Sequence, residues 1–332
     1  MRQLHTNPMQ KGFTLVELMI AMVLSLLLMA GATSMFLSSK KTFKTQEELA
    51  RIQENMRYVV TRMVTDISPA GFHGCAPSAQ GGESQVKSTV TSANGLHNFD
   101  NAIAGAEGGG PNNSDSLTVR FALPEYGMPI IAPMTAEDRA VRVNSSHPAY
   151  EELSQGDIIA VSDCSLLAVF MITNEPGADG RLTHLPGITI NGITNSTDET
   201  THYFGGESLS SAMAIKMDAV TYDLGIVTNN GATVSSLYAT RLGGNRQQIL
   251  SGVEDFQVSY GIDTTNPPDG TSDRYIIWDT VAAEQLNSRI ASIRIALTIN
   301  SGEPIPGTTG LNQDFTEEME FVVKLRNRLT DL

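Results

Sequence analysis

The sequence predicts an α+β protein, a long N-terminal helix packed on an antiparallel β-sheet domain. Three observations carry this. Phe13–Leu37 is a 25-residue apolar run whose one charge is Glu17. Residues 38–67 then place apolar side chains at steps of three and four, the spacing of one helix face. Further on, the chain breaks into short alternating runs, the pattern of half-buried antiparallel strands. Its 29 Gly and 14 Pro supply the turns between them.

Length and charge narrow the function classes. Of 332 residues, enough remain beyond an N-terminal anchor for one large domain or two small ones. The formal charge of −14 opposes contact with phosphate backbones, so no direct nucleic-acid partner is expected. The sequence contains no G-x-S-x-G, H-E-x-x-H, Walker loop or C-x-x-C, and no enzymatic activity is expected.

Residues 1–12 form a short leader carrying Arg2 and Lys11, and residues 13–37 follow as the transmembrane half of the helix. The run is long enough to span a bilayer. The basic residues before it favour a cytoplasmic N-terminus and a periplasmic C-terminal domain. An ordinary secretory signal cleaved near Ala30-Gly31-Ala32 is the first alternative, and a plain uncleaved anchor the second. The length of the apolar run, the carboxylate near its start and the helical pattern continuing past Ala32 all oppose the first.

The string Lys11-Gly12-Phe13-Thr14-Leu15-Val16-Glu17-Leu18 resembles the cleavage and methylation site of type IV prepilins, a likeness that holds from Lys11 to Ala21. The resemblance implies a membrane aspartyl peptidase that cuts between Gly12 and Phe13 and then methylates the new amine of Phe13. Gly12, with no side chain, lets a protease approach the backbone closely. Glu17 is costly inside a membrane segment, about 2.5–3.5 kcal/mol on insertion scales, and so marks a functional position. In pilins the matching carboxylate attracts the N-terminal amine of a neighbouring subunit, so cleavage would create an assembly contact. Solvation of Glu17 by water and headgroups near the helix start is the bland alternative.

The amphipathic half, residues 38–68, carries its stripe through Leu49, Ile52, Met56, Val59, Val60, Met63, Val64 and Ile67, and Ser68-Pro69-Ala70-Gly71 ends it. From Phe13 to Ile67 one helix measures about 80 Å. Gly31 with Thr33 and Ser34 is the expected place for a bend. The amphipathic half is expected to pack on its own β domain. A coiled-coil dimer is the alternative, but the stripe lasts only about three heptads.

Residues 69–332 are expected to form the periplasmic β-rich domain, with about 80–210 as an added region or subdomain. Strands are expected over Ser116–Ala122, Asp157–Val161, Leu166–Thr173, Met213–Leu224, Val234–Leu242, Val253–Ile262, Tyr275–Asp279, Ser288–Asn300 and Glu318–Leu325, with a short helix over Thr280–Asn287. Cys75 and Cys164, an even pair in an exported chain, point to a disulfide. It would close a loop of about 90 residues, worth about 4–5 kcal/mol on the chain-entropy model; two buried free thiols are the alternative. Asp263, Asp269 and Asp273 lie in a loop rich in the oxygen ligands calcium prefers, without EF-hand spacing, and a plain surface hairpin loop is the competing reading. No other cofactor is expected.

Glu48–Cys75, the segments Gly156-Asp157 and Ser162-Asp163-Cys164-Ser165, Val253–Gly261 and the closing Lys324-Leu325-Arg326-Asn327-Arg328 resemble, in that order, the PilW group of minor pilins. This implies a low-abundance subunit that joins other minor pilins and the major pilin, with the prepilin peptidase and the inner-membrane assembly machinery as partners. It would prime a type IV pilus and sit at or near its tip, supporting twitching motility and adhesion. It would lie in the bacterial inner membrane before assembly and at the cell surface afterwards. A minor pseudopilin of a type II secretion system and a tip adhesin are the alternative functions.

Overall fold

A computed structural model describes residues 13–74, 86–92, 95–99, 101–134, 139–163, 167–196, 204, 212–229, 232–300 and 316–328. Helix α1 (Leu15–Ile67) runs without a break through Gly31. Residues up to Gln53 group apart from a second compact unit, Glu54–Asn300 with Thr316–Leu332.

In the second unit the strands follow in chain order: β1 (Val86–Ser88), β2 (Val90–Ser92), β3 (Ile103–Ala106), β4 (Ser116–Ala132), β5 (Ala140–Val143), β6 (Ile158–Ser162), β7 (Leu167–Met171) and β8 (Arg181–Thr183) come first. A short helix α2 (Pro148–Glu151) lies between β5 and β6. Then come β9 (Thr189–Ile190), β10 (Ile193–Asn195), β11 (Met213–Asn229), β12 (Ala232–Arg241), β13 (Arg246–Ser251), β14 (Val253–Ile262) and β15 (Arg274–Ile276). Helix α3 (Trp278–Ala283), β16 (Ile290–Asn300) and β17 (Thr316–Lys324) complete the order.

Two 17-residue strands, β4 and β11, form the spine of the largest sheet. They pair antiparallel from Asp223↔Ser116 to Met217↔Ala122, and again from Ile215↔Gly127 to Met213↔Pro129. The register shift between Ile215 and Met217 is where Leu123–Tyr126 leave the ladder. A bulge is one of the few sheet positions that tolerates a proline, and Pro124 occupies it. At one end of the spine β12, β13 and β3 extend the sheet; at the other β6, β7, β5 and β8 do so. The described residues from 86 to 196 thus share one compact unit with the C-terminal strands. Every residue of β6 and β7 is buried, because apolar clusters lie on both faces there. One pairing departs from the expected antiparallel pattern: β1 runs parallel to β7.

A four-stranded sheet, β15-β14-β16-β17, is antiparallel throughout. Val253 and Phe256 are three apart yet both are buried, because the register shifts between Val253 and Asp255. On β16, Ile293, Ile295, Leu297 and Ile299 face inward as their alternation predicts. Tyr275–Asp279, expected as one strand, splits: β15 ends at Ile276 and α3 starts at Trp278, where the Glu107 carboxylate accepts the Trp278 amide and caps the helix.

Both sheets and the end of α1 share one core. Val59, Met63 and Ile67 are fully buried, with Met56 and Val64 at the margin, against Leu117, Tyr222, Leu237, Phe256 and Ile295 among others. The buried positions fall at i, i+4 and i+8, while Glu54, Arg57, Thr61 and Thr65 stay exposed. Each buried side chain contributes about 1.5–3 kcal/mol.

Candidate assembly and maturation site

Thr14 and Glu17 form a reciprocal cap at the start of α1. The Glu17 carboxylate accepts from the Thr14 amide and the Thr14 hydroxyl, both at 3.2 Å, and the Glu17 amide donates to the Thr14 hydroxyl oxygen at 3.2 Å. This is a capping box: a Thr at the N-cap and a Glu three residues on, each satisfying a donor that the first helical turn leaves open. Negative charge at this end also complements the helix dipole. Thr14 had no role in the sequence reading, although the T-x-x-E spacing before an apolar run signals it. Phe13, next to the cap, is 88% exposed. Gly12, on the other side of the expected cleaved bond, lies outside the described residues.

Beyond the cap the helix turns an exposed apolar surface outward all round. Leu28 is 76% exposed, and Leu15, Leu26, Met29 and Phe36 are also exposed. A large exposed apolar surface marks contact with lipid or with other protein, and this helix is long and apolar enough to cross a membrane. Two of its hydroxyls are satisfied inside the helix: Ser25 donates to the Met22 carbonyl at 2.9 Å and Thr33 to that of Met29 at 2.8 Å. Thr33 is thus bonded within an unbroken helix at the place where a bend was expected.

The other end of α1 is clamped in the second unit by charge and by backbone pairing. Asp66, 4% exposed, accepts from Tyr222 at 2.6 Å and pairs with Arg62 at 3.1 Å and with Arg241, which also pairs with Asp218. A carboxylate in the last turn opposes the helix dipole, and two guanidiniums offset it. Burial pushes the Asp218 carboxyl up from its ordinary range, and the Arg241 charge works against that shift. Burial, then the charge and hydrogen bond of Asp66, push the Tyr222 phenol above its usual value. Past the helix, Gly71 donates to the Arg120 carbonyl and Ala122 to the Phe72 carbonyl, so the chain pairs briefly with β4. From the C-terminal end, the Arg326 amide donates to the Ser68 carbonyl at 3.0 Å and Asn327 to that of Gly71 at 2.6 Å. Arg120 is itself buried, which lowers its pKa to about 10, and it donates to the carbonyls of Leu96 and Asn101.

The remaining expected site residues fall apart from this end. Cys75 and Cys164 lie outside the described residues. Asp263 accepts from the Thr265 amide and hydroxyl and from the Gly270 amide, Asp273 from the Thr264 amide and hydroxyl, and Asp269 from the Thr271 amide. These carboxylates knit the loop together. Among the described residues, no group of three or more His, Cys, Asp or Glu is placed to hold a metal ion.

Two family matches fall on these features. Residues 7–33 match the prokaryotic N-terminal methylation motif, spanning the leader, the cap and most of the apolar run. Residues 226–321 match the type IV pilus-assembly protein W family, PilW, from the end of β11 into β17. No curated protein and no solved structure matches the chain. The families matched are structural components of pili. With a methylation motif opening an exposed apolar helix and a PilW match across its C-terminal sheet, the chain is a PilW-like type IV pilin, of the membrane-anchored kind that serves pilus assembly.

Proposed function

We propose that this chain is a minor pilin that primes type IV pilus assembly and takes a place at or near the filament tip. In this reading the prepilin peptidase cuts between Gly12 and Phe13 and methylates Phe13. The helix holds the subunit in the inner membrane with its β domain in the periplasm until it joins other minor pilins and then the major pilin.

The observation that carries the proposal is the capped Glu17 carboxylate at the start of an uninterrupted, fully exposed apolar helix. Inside one subunit Glu17 is held by neutral donors from Thr14. A neighbour's N-terminal ammonium offers a charge-assisted hydrogen bond, roughly twice as strong as a neutral one. The partner's positive amine therefore competes well against the cap, and that amine exists only after cleavage.

Deletion of the gene and complementation with wild-type or Glu17→Ala chain tests the proposal. Cells lacking the chain should make few surface pili, wild-type chain should restore them, and the variant should restore them poorly while remaining membrane-bound. Normal piliation of the deletion strain with loss of protein secretion would replace the proposal by a pseudopilin role.

A further inference from the structure

Just past the apolar run the helix carries Ser38-Ser39-Lys40-Lys41-Thr42-Phe43-Lys44. Lys40, Lys41 and Lys44 stand about 5–10 Å along the axis from Leu37. The headgroup layer of a bilayer is about 5–7 Å deep on each side, so the lysines fall at its outer edge with stems long enough to reach back. Phe43, 68% exposed, sits among them in an otherwise polar stretch.

Three features fit an anionic surface at this level. Lys40 and Lys44 are neighbours at i, i+4, an arrangement of like charges that weakens a helix by itself. Topology does not account for the lysines: the leader ahead of the run has only Arg2 and Lys11, so three positive charges on the far side run against the usual bias of basic residues to the cytoplasmic side. The chain as a whole has charge −14 and is repelled by an acidic surface, yet it places three lysines within these five residues. An aromatic ring among basic residues is the composition of an interfacial membrane contact. The two threonine hydroxyls do not compete, since Thr42 donates to the Ser38 carbonyl and Thr45 to that of Lys41.

We propose that Lys40, Lys41, Phe43 and Lys44 form a collar that binds the headgroups of anionic phospholipids where the helix leaves the membrane. This rests on the membrane-held reading above. Lys41 and Lys44 also interact within the chain; Lys40 is exposed and is the clearest reporter. Each lysine near an anionic surface strengthens attachment about fivefold at low salt. A subunit drawn from the bilayer into a filament gives up this lipid contact.

The full chain is reconstituted in vesicles of phosphatidylcholine alone or with 30% phosphatidylglycerol, and lysine acetylation by a water-soluble reagent is read peptide by peptide. Lys324, exposed and outside this segment, is the internal control. Phosphatidylglycerol should lower Lys40 labelling about fivefold, 1 M salt should restore it, and Lys41→Gln/Lys44→Gln should remove most of the protection. Equal Lys40 labelling in the two vesicles overturns the collar, as does equal protection by inorganic phosphate added to phosphatidylcholine vesicles. Failure of the chain to float with either vesicle would instead overturn the membrane-held reading, so the two ideas fail separately.

Discussion

Replacing Arg241 by methionine removes the group that bridges Asp66 on α1 to Asp218 on β11. Asp66 has a side chain only 5% exposed, and Asp218 one 14% exposed. Removing one member of a buried pair typically costs 3–5 kcal/mol, because the other charge is left without its partner. Two facts reduce that here. The Arg241 side chain is 31% exposed, so water screens part of the interaction, and Arg62 and Tyr222 still hold Asp66. The expected loss is about 2–3 kcal/mol. For a unit of this size that lowers the Tm by about 4–12 °C. Urea unfolding of the detergent-solubilised full chain measures it, followed by fluorescence of Trp278, the one tryptophan, which lies against Tyr260 in the same unit. A loss under about 0.5 kcal/mol, the value of an ordinary surface pair, would refute the clamp.

Thr14→Ala removes the acceptor of the Glu17 amide and should speed that amide's hydrogen exchange in micelles by about 2- to 30-fold, the equivalent of a lost N-cap. Asp263→Ala leaves the buried Gly270 amide without its acceptor and should cost about 1–3 kcal/mol at neutral pH, measured by urea unfolding. Burial works against ionisation of Asp263, but the hydrogen bonds from Thr265 and Gly270 outweigh it and hold its carboxyl below the ordinary 3.8. A depressed carboxyl stabilises the fold above the unfolded value and loses that contribution as pH falls through the folded one. The gap between wild type and variant should therefore be full above about pH 5 and close as acid takes the pH below 3.8. Non-reducing peptide mapping should recover Cys75 and Cys164 in one linked peptide. Gly74, beside Cys75, lies against Ile215 of β11, and β11 pairs with β6 up to Met213↔Ser162, two residues short of Cys164. Alkylation of both thiols without reduction would exclude the bond.

The helix and the C-terminal sheet were legible because each buries one face. Val59, Met63 and Ile67 repeat at helical spacing, and Ile293 to Ile299 alternate along β16, so periodicity alone marks them. The region before β11 was less legible for two physical reasons. β6 and β7 are buried on both faces, which erases alternation, and β1, β2, β3, β9 and β10 are only two to four residues long. β4 was expected only over Ser116–Ala122; the bulge opposite Ile215 accepts Pro124, and the strand continues to Ala132. At the N-terminus Glu17 stood out as a lone charge in an apolar run, whereas Thr14, which shares its hydrogen bonds, looked like ordinary helix sequence. The Asp66–Arg241 clamp joins residues 175 positions apart, and no local pattern announces such a pair.

The central claim is that this chain matures as a pilin, and the mature N-terminus tests it most directly. The full chain is expressed with and without a prepilin peptidase, and its first peptide is determined by mass spectrometry. The account predicts a start at N-methylated Phe13 only when the peptidase is present. A start just after Ala32, or an intact Met1 in both cases, would contradict it.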